Sequence, residues 1–365
     1  MGEPDAPPPV DPPRSAMTVP SRPPGRDLVV LQSSQAPRPT TNPYIVMLGR
    51  ALAATPGVRP LHFSWRTALL ARYDVFHVHW PEILVDGHSP LKKAVRQALT
   101  VALLARLTLR RIPIVRTVHN LERPQGISRR ESLLLALMER MTTLRLRVNP
   151  VTEMPADQPH ATILHGHYRD WFRDEPREEV VPGRLGYVGL VRRYKGVEQL
   201  VAAFRGAGDA GADLSLRIGG NPSSEELAGT VSALAAGDDR IRLDLRFLSD
   251  AELVEIVTSS ELVVLPYRFM HNSGGALAAL SLDRPVLVPD NAVNRALAEE
   301  VGPGWIHLFD GDLTPEELLR ATEAVRTGAR SASPDLSGRD WDLAGTAHAS
   351  AYRRALRIRR GVERG

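Results

Sequence analysis

The feature that most limits what this chain can fold into is a strand–helix alternation that runs, breaks at a charged stretch with two prolines, and starts again. In the first run, strands are read at 28–31, 59–63, 73–80 and 112–120, with short ones near 148–152 and 162–164. Helices are expected from Asn42-Pro43-Tyr44 onward, over about 90–110 and over about 128–147. In the second run, strands are read at 185–188, 214–218, 241–245, 262–265 and 286–288. Helices fall between them at 197–204, 224–236, 250–259 and 274–282, and a last amphipathic helix covers about 341–359. Strands alternating with helices build βαβ units and a parallel sheet. Two such units in tandem predict an α/β protein of two Rossmann-like, doubly wound domains that bind ligands in the cleft between them. The expected boundaries are a proline-rich, disordered leader at 1–26, one domain at 27–175, a second at 184–335, and a C-terminal helix at 336–365 that packs back on the first domain. Translation could also begin at Met17.

Length and composition agree with that reading. The chain has 365 residues, 43% of them hydrophobic, which suffices for two cores. It has no cysteine. Disulfides, thiol nucleophiles and thiolate metal sites are therefore excluded, and a reducing, cytoplasmic compartment suits the chain. No apolar run is long enough to span a bilayer and no signal peptide is visible. The net charge is +4 and the pI about 9.6. No zinc-finger or RNP-like pattern accompanies that charge, so phosphorylated substrates or an anionic membrane surface are expected partners, and nucleic acid is not. No G-x-G-x-x-G follows the first strand, which disfavours a dinucleotide-dependent dehydrogenase.

Three stretches carry candidate chemistry. In Gly186-Tyr187-Val188-Gly189-Leu190-Val191-Arg192-Arg193-Tyr194-Lys195-Gly196, a strand runs into a loop with three cations, suited to clamping a diphosphate. The chain has only three lysines, Lys92, Lys93 and Lys195, among its many arginines. A surface cation with no task would more often be written arginine here, which singles out Lys195. In Leu265-Pro266-Tyr267-Arg268-Phe269-Met270-His271-Asn272-Ser273-Gly274-Gly275-Ala276, a strand end meets a helix start whose bare amides and dipole favour an anion. In the first domain, His77 and His79 share one strand face, followed by Trp80, Pro81 and Glu82. His119, Asn120 and Glu122 end the next strand. Glu82, His119 and Glu122 are candidate general bases. His77 reads as a half-buried strand residue with backbone partners, and a histidine metal site is disfavoured because the spacing is not diagnostic.

On these residues the chain resembles the group 1, or family 4-like, GT-B glycosyltransferases. The resemblance rests on Asn42-Pro43-Tyr44, Asp74 to Glu82, Thr117-Val118-His119-Asn120, Val188-Gly189 through Lys195-Gly196, and Ser273-Gly274-Gly275 through Asp283-Arg284-Pro285-Val286. It implies a nucleotide-diphosphate sugar as co-substrate, held mainly by the second domain, with no tightly bound cofactor and no metal requirement. Arg192, Arg193 and Lys195 would hold the diphosphate. Asn272, Ser273, Gly274 and Gly275 would cradle its distal phosphate, and Phe247 and Leu248 would line the nucleobase. Asn42, Tyr44, His79 and Trp80 would face the acceptor. Many members carry arginine directly after the glycine matching Gly189, where this chain has Leu190. Retaining members carry an E-x7-E motif, and here Met270 and Ala278 stand at those positions. In this the chain is similar to exopolysaccharide β-mannosyltransferases acting on lipid-linked saccharides, which implies GDP-mannose as donor, a lipid-linked acceptor and inversion. Epimerase-like chemistry, or nucleotide-sugar binding without catalysis, is the alternative that a GT-B shape leaves open. The basic residues around Lys92, Lys93, Arg96 and Arg106, and those from Arg353 to Arg360, suggest peripheral membrane contact.

Overall fold

The computed structural model describes residues 26–119, 126–268 and 270–363. The leader up to residue 25 and the candidates Asn120 and Glu122 lie outside the described residues. Among the described residues, twelve strands form two parallel sheets of six.

The first sheet holds β1 (Leu28–Gln32), β2 (Val58–Leu61), β3 (Val75–Val78), β4 (Ile114–Val118), β5 (Thr142–Arg147) and β6 (His160–Thr162), in the order β2-β1-β3-β4-β5-β6. Its helices are α1 (Pro43–Ala54), α2 (Trp65–Leu70), α3 (Glu82–Val85), α4 (Pro90–Leu109) and α5 (Arg129–Met141). The second sheet holds β7 (Arg184–Val188), β8 (Ser215–Gly219), β9 (Ile241–Asp244), β10 (Leu262–Val264), β11 (Val286–Pro289) and β12 (Ile306–Phe309), in the order β12-β11-β10-β7-β8-β9. Its helices are α6 (Val197–Gly206), α7 (Glu225–Ala235), α8 (Asp250–Ser259), α9 (Gly274–Ser281), α10 (Ala292–Val301) and α11 (Pro315–Thr327). The last helix, α12 (Trp341–Arg359), leaves the second sheet and packs on α1 and on β5 of the first.

The side-chain alternation of the first sheet fixes where its chemistry falls. Along β1 and β3, Val29, Leu31, Phe76 and Val78 join the cluster under α4, with Leu103, Leu104 and Leu107. Val30 and Val75 face the opposite way and join the core that includes α1 and α12. With a period of two, Gln32 and His77 fall on that second face, as does Thr117 next to Val115 on β4. Gln32 and His77 are register partners across β1 and β3.

The structure adds α2, α3, α10, β12 and α11 to the elements read from the sequence, and it moves the α5–β5 boundary. The helix expected to run to 147 ends at Met141, and β5 occupies Thr142–Arg147, upstream of the strand expected near 148–152. The β-branched Thr142 and Thr143 end the helix, and Leu144 and Leu146, both fully buried, take up strand alternation against β4.

Candidate active site

Each sheet reverses its strand order at one point, and loops leaving the carboxyl ends of the two strands there diverge and open a crevice. In the second sheet this point lies between β7 and β10. The loop after β7 carries Gly189 to Gly196 and a one-turn 3-10 helix at Arg193–Lys195. The loop after β10 leads into α9. Neighbouring strands thus bring the cationic loop and the glycine-rich helix start together.

Their contacts are specific. Lys195 Nζ donates to Tyr267 Oη at 3.2 Å and lies 4.7 Å from the centre of that ring. A Cβ built on Gly189 would sit 3.6 Å from Lys195 Nζ, and one on Gly275 would sit 3.2 Å from Tyr267 Oη and 3.6 Å from Ser273 Oγ. Gly189, Lys195, Tyr267, Ser273 and Gly275 therefore border one small volume. Burial lowers the Lys195 pKa, and Arg192 adds to that by repulsion. No carboxylate among the described residues pairs with Lys195. Its partner is the neutral Tyr267 phenol and ring. Ser273 caps α9 by accepting from Ala276 N at 3.1 Å, leaving the first-turn amides of Gly274 and Gly275 directed outward.

The other second-sheet candidates fall into place unequally. Arg192 is half-buried and unpaired among the described residues. The Arg193 guanidinium pairs with Glu226 of α7 at 2.7 Å on the surface. Phe247 is exposed beyond the end of β9, while Leu248 packs inward toward Gly219. Met270 and Ala278 are buried. The Met270 carbonyl accepts from Asn291 Nδ2 at 3.1 Å and its sulfur lies 3.5 Å from Asn294 Nδ2, so this part of the wall is packed rather than acidic.

The first sheet reverses order between β1 and β3. Asn42 caps α1 by accepting from Tyr44 N, and Tyr44 is buried edge-on against His79 and His119, with ring centres at 5.9 and 5.1 Å. Trp80 stacks on His119 at 4.5 Å with the planes 18° apart. Glu82 is half-buried at the first turn of α3. Beneath this rim runs a connected polar chain. His79 Nδ1 meets His119 Nε2 at 3.2 Å, and His79 Nε2 meets Gln32 Oε1 at 3.2 Å. Gln32 Nε2 donates to Tyr352 Oη at 3.4 Å, which meets His77 Nδ1 at 2.8 Å, and His77 Nε2 meets Thr117 Oγ1 at 2.8 Å. His77 is thus fully buried with side-chain partners, where half-burial with backbone partners was expected. Burial and neighbouring imidazoles push His77 and His79 well below the usual histidine range. Burial, with His165 and Arg116 nearby, brings His119 down to about 3. All three are neutral at physiological pH. Gln32, Tyr267 and Tyr352 escape sequence reasoning. Gln32 and Tyr352 are 320 residues apart, and no local pattern announces that they meet.

The two halves touch at the site itself. Asn272 Nδ2 donates to the His119 carbonyl at 3.1 Å, and its Oδ1 accepts from Asn149 Nδ2 at 2.7 Å. His271 Nε2 meets Thr152 Oγ1 at 2.8 Å. A cavity of about 40 Å³ lined by Asn149, His165, Asn272 and Ser273 lies beside this junction. Lys195 and Gly275 both border Tyr267 Oη, and Asn272, just before α9, reaches the His119 carbonyl.

No family model matches the chain. Among solved structures it is similar to Anabaena HepE in complex with UDP-glucose (TM-score 0.56, 12% identity, 92% of this chain and 98% of that one). It is also similar to the sucrose-phosphate synthase of Thermosynechococcus elongatus (TM-score 0.53, 15% identity, 92% and 98%). These likenesses establish a GT-B fold of two facing Rossmann-like domains. At the sequence level it is 44% identical over 330 residues to a GDP-mannose:glycolipid 4-beta-D-mannosyltransferase of Xanthomonas campestris pv. campestris, an alignment covering 90% of this chain and 93% of the relative. With that identity over that length, the chain belongs to this mannosyltransferase family and is a glycosyltransferase of the GT-B fold.

Proposed function

We propose that the protein transfers mannose from GDP-mannose to a glycolipid acceptor with inversion, in the assembly of an exopolysaccharide. The observation that carries this reading is the meeting of Lys195, Tyr267 and the start of α9 with His119, joined through Asn272. The second half, bounded near 184–335, binds the donor; the first, near 27–175, receives the acceptor. Lys195, Arg192 and the amides at Ser273, Gly274 and Gly275 take the diphosphate, and Phe247 stacks on the base. The acceptor oxygen attacks the anomeric carbon as the carbon–phosphate-oxygen bond breaks, and GDP leaves with the electron pair. Its charge is met by Lys195, Arg192 and the α9 dipole. The proton of the attacking hydroxyl passes to a base from the first half. Glu82, His119 and Glu122 are the candidates, and His119 is the one that burial keeps neutral at the junction with the donor half. Met270 and Ala278 offer no carboxylate for a retaining route.

These cations and amides neutralise the leaving group without a metal, so EDTA leaves turnover unchanged. A thermal-shift screen with GDP-, UDP- and dTDP-sugars tests the donor. GDP-mannose gives the largest shift, and NMR of the product shows a β linkage. Preference for a UDP-sugar, or an α-linked product, ends this reading.

The acceptor also calls for a membrane. Along α4, Leu91, Val95, Ala98, Ala102, Ala105 and Leu109 recur at helical spacing and are all exposed. Exposed Leu133 and Leu137 of α5 extend the apolar surface, and Lys92, Arg110, Arg129 and Arg130 ring it with exposed positive charge. Such a face suits an anionic bilayer. The C-terminal basic run fits less well, because Arg354 and Arg357 are both paired with Glu363. Among the described residues no helix is long and apolar enough to cross a membrane, so docking would be peripheral.

A further inference from the structure

The polar chain beneath His119 has a direction, and that direction decides which nitrogen of His119 carries its proton. A carbonyl oxygen only accepts, so Gln32 Oε1 receives its hydrogen bond from His79 Nε2–H. His79 is neutral and buried, which leaves its Nδ1 bare. The His119 proton must then sit on Nε2 and point at His79 Nδ1. His119 Nδ1 is left with a free lone pair, and among the described residues no group bonds to it. At the far end, the Gln32 amide donates to Tyr352 Oη, and the phenol proton goes to His77 Nδ1. His77 Nε2–H then donates to Thr117 Oγ1. Reversing the Gln32 amide would reverse every bond and turn an N–H of His119 outward. The orientation of one buried amide therefore sets the tautomer at the cleft, and α12 reaches that amide through Tyr352.

We propose that Gln32 and Tyr352 are positioning residues that hold His119 as its Nε2–H tautomer, with the Nδ1 lone pair presented to the acceptor hydroxyl. The proposal rests on the reading of His119 as the base. It assigns a role in the reaction to a helix that follows the second sheet in sequence. On proton transfer, Nδ1 takes the acceptor proton while Nε2–H stays bonded to His79, so the positive charge formed keeps its inward hydrogen bond and no other group need move.

Long-range proton–nitrogen NMR of histidine-labelled protein reports the tautomer directly. Wild type should show His119 with Nε2 protonated and Nδ1 bare. Tyr352→Phe removes only a hydroxyl, and Gln32→Leu keeps approximate volume. Both should give mixed His119 tautomers, a kcat lowered on the order of 10-fold, and an unchanged KM for the donor, because neither touches the diphosphate clamp. Circular dichroism and thermal unfolding check that each variant is folded. If Gln32→Leu does not fold, Tyr352→Phe alone carries the test. Wild-type His119 protonated on Nδ1, or a tautomer unmoved in the folded variants, overturns the proposal. Full activity in His119→Ala would overturn the reading of His119 as base, while the tautomer measurement would still judge the wire.

Discussion

Lys195 owes its importance to what surrounds it. It is one of three lysines, half-buried, bonded to a neutral phenol and matched by no carboxylate among the described residues. Lys195→Ala should weaken GDP binding by about 10- to 100-fold, the range for losing a charge-assisted bond to phosphate. Isothermal titration measures it, and unchanged affinity would remove Lys195 from the clamp. Lys195→Arg should not restore affinity, since a planar fork cannot occupy the space between Tyr267 Oη and Gly189 as an ammonium does. Gly220 is another single-residue constraint. It adopts φ +152, and a Cβ there would collide with the Gly189 carbonyl. Gly220→Ala should destabilise the protein by about 3 kcal/mol or more and distort the loop that carries Lys195. Urea denaturation would show it.

The buried imidazoles give a pH dependence of known sign. His348 and His165 are brought down to about 4 and His119 to about 3, all chiefly by burial. In the unfolded chain these groups titrate near 6.5. Between about pH 6.5 and 4 the unfolded chain therefore binds protons that the folded one refuses, and stability falls as pH drops. The slope is roughly 1.4 kcal/mol per pH unit for each such histidine. Urea midpoints at pH 7.5, 6.0 and 5.0 should decline in that order, and above pH 7 this source contributes no slope.

At the scale of elements, α4 makes the sharpest prediction. Its exposed face is apolar from Leu91 to Leu109. Val95 belongs to neither buried cluster, so Val95→Glu should leave stability within about 0.5 kcal/mol of wild type. It should abolish flotation with anionic liposomes and slow transfer to lipid-linked acceptor, yet spare a soluble acceptor analogue. Equal flotation by both proteins would discard the membrane face. Elements also show what could be read in advance. Helices with a side-chain cap, such as α1 after Asn42, α8 after Ser249 and α9 after Ser273, begin where the sequence indicates, because the cap is local chemistry. The α5–β5 join was misread because no Gly or Pro marks it and the switch is made by buried Leu144 and Leu146. The meeting of the cationic loop with the start of α9 was legible because both follow neighbouring strand ends on short loops. The pairing of Arg193 with Glu226 was not readable from sequence, since the two lie 33 residues apart. The polar chain under His119 was invisible because pairings across 275 and 320 residues leave no periodic trace.

For the whole molecule, α12 acts as a strap. Trp341 Nε1 donates to the His167 carbonyl at 2.8 Å, its ring fills the space a side chain on Gly166 would need, and Gly345 packs close against Ala51 of α1 and Thr55 at its end. Gly345→Leu should lift the helix off α1 and lower thermal stability by several degrees, for about 2 kcal/mol of overpacking. It should also reduce kcat more than donor affinity, because the donor clamp lies on the other sheet. Calorimetry and titration with GDP separate the two effects.

The bond from Tyr352 to His77 also orders events during synthesis. The first sheet leaves the ribosome early, but the imidazole at its heart waits for a phenol made 275 residues later. Until then Gln32 and His77 have unmet polar groups in what will become a dry interior, and the early half cannot settle into its finished form alone. A nascent chain stalled before α12 should therefore carry a loose, protease-sensitive first half beside a second half already able to hold nucleotide.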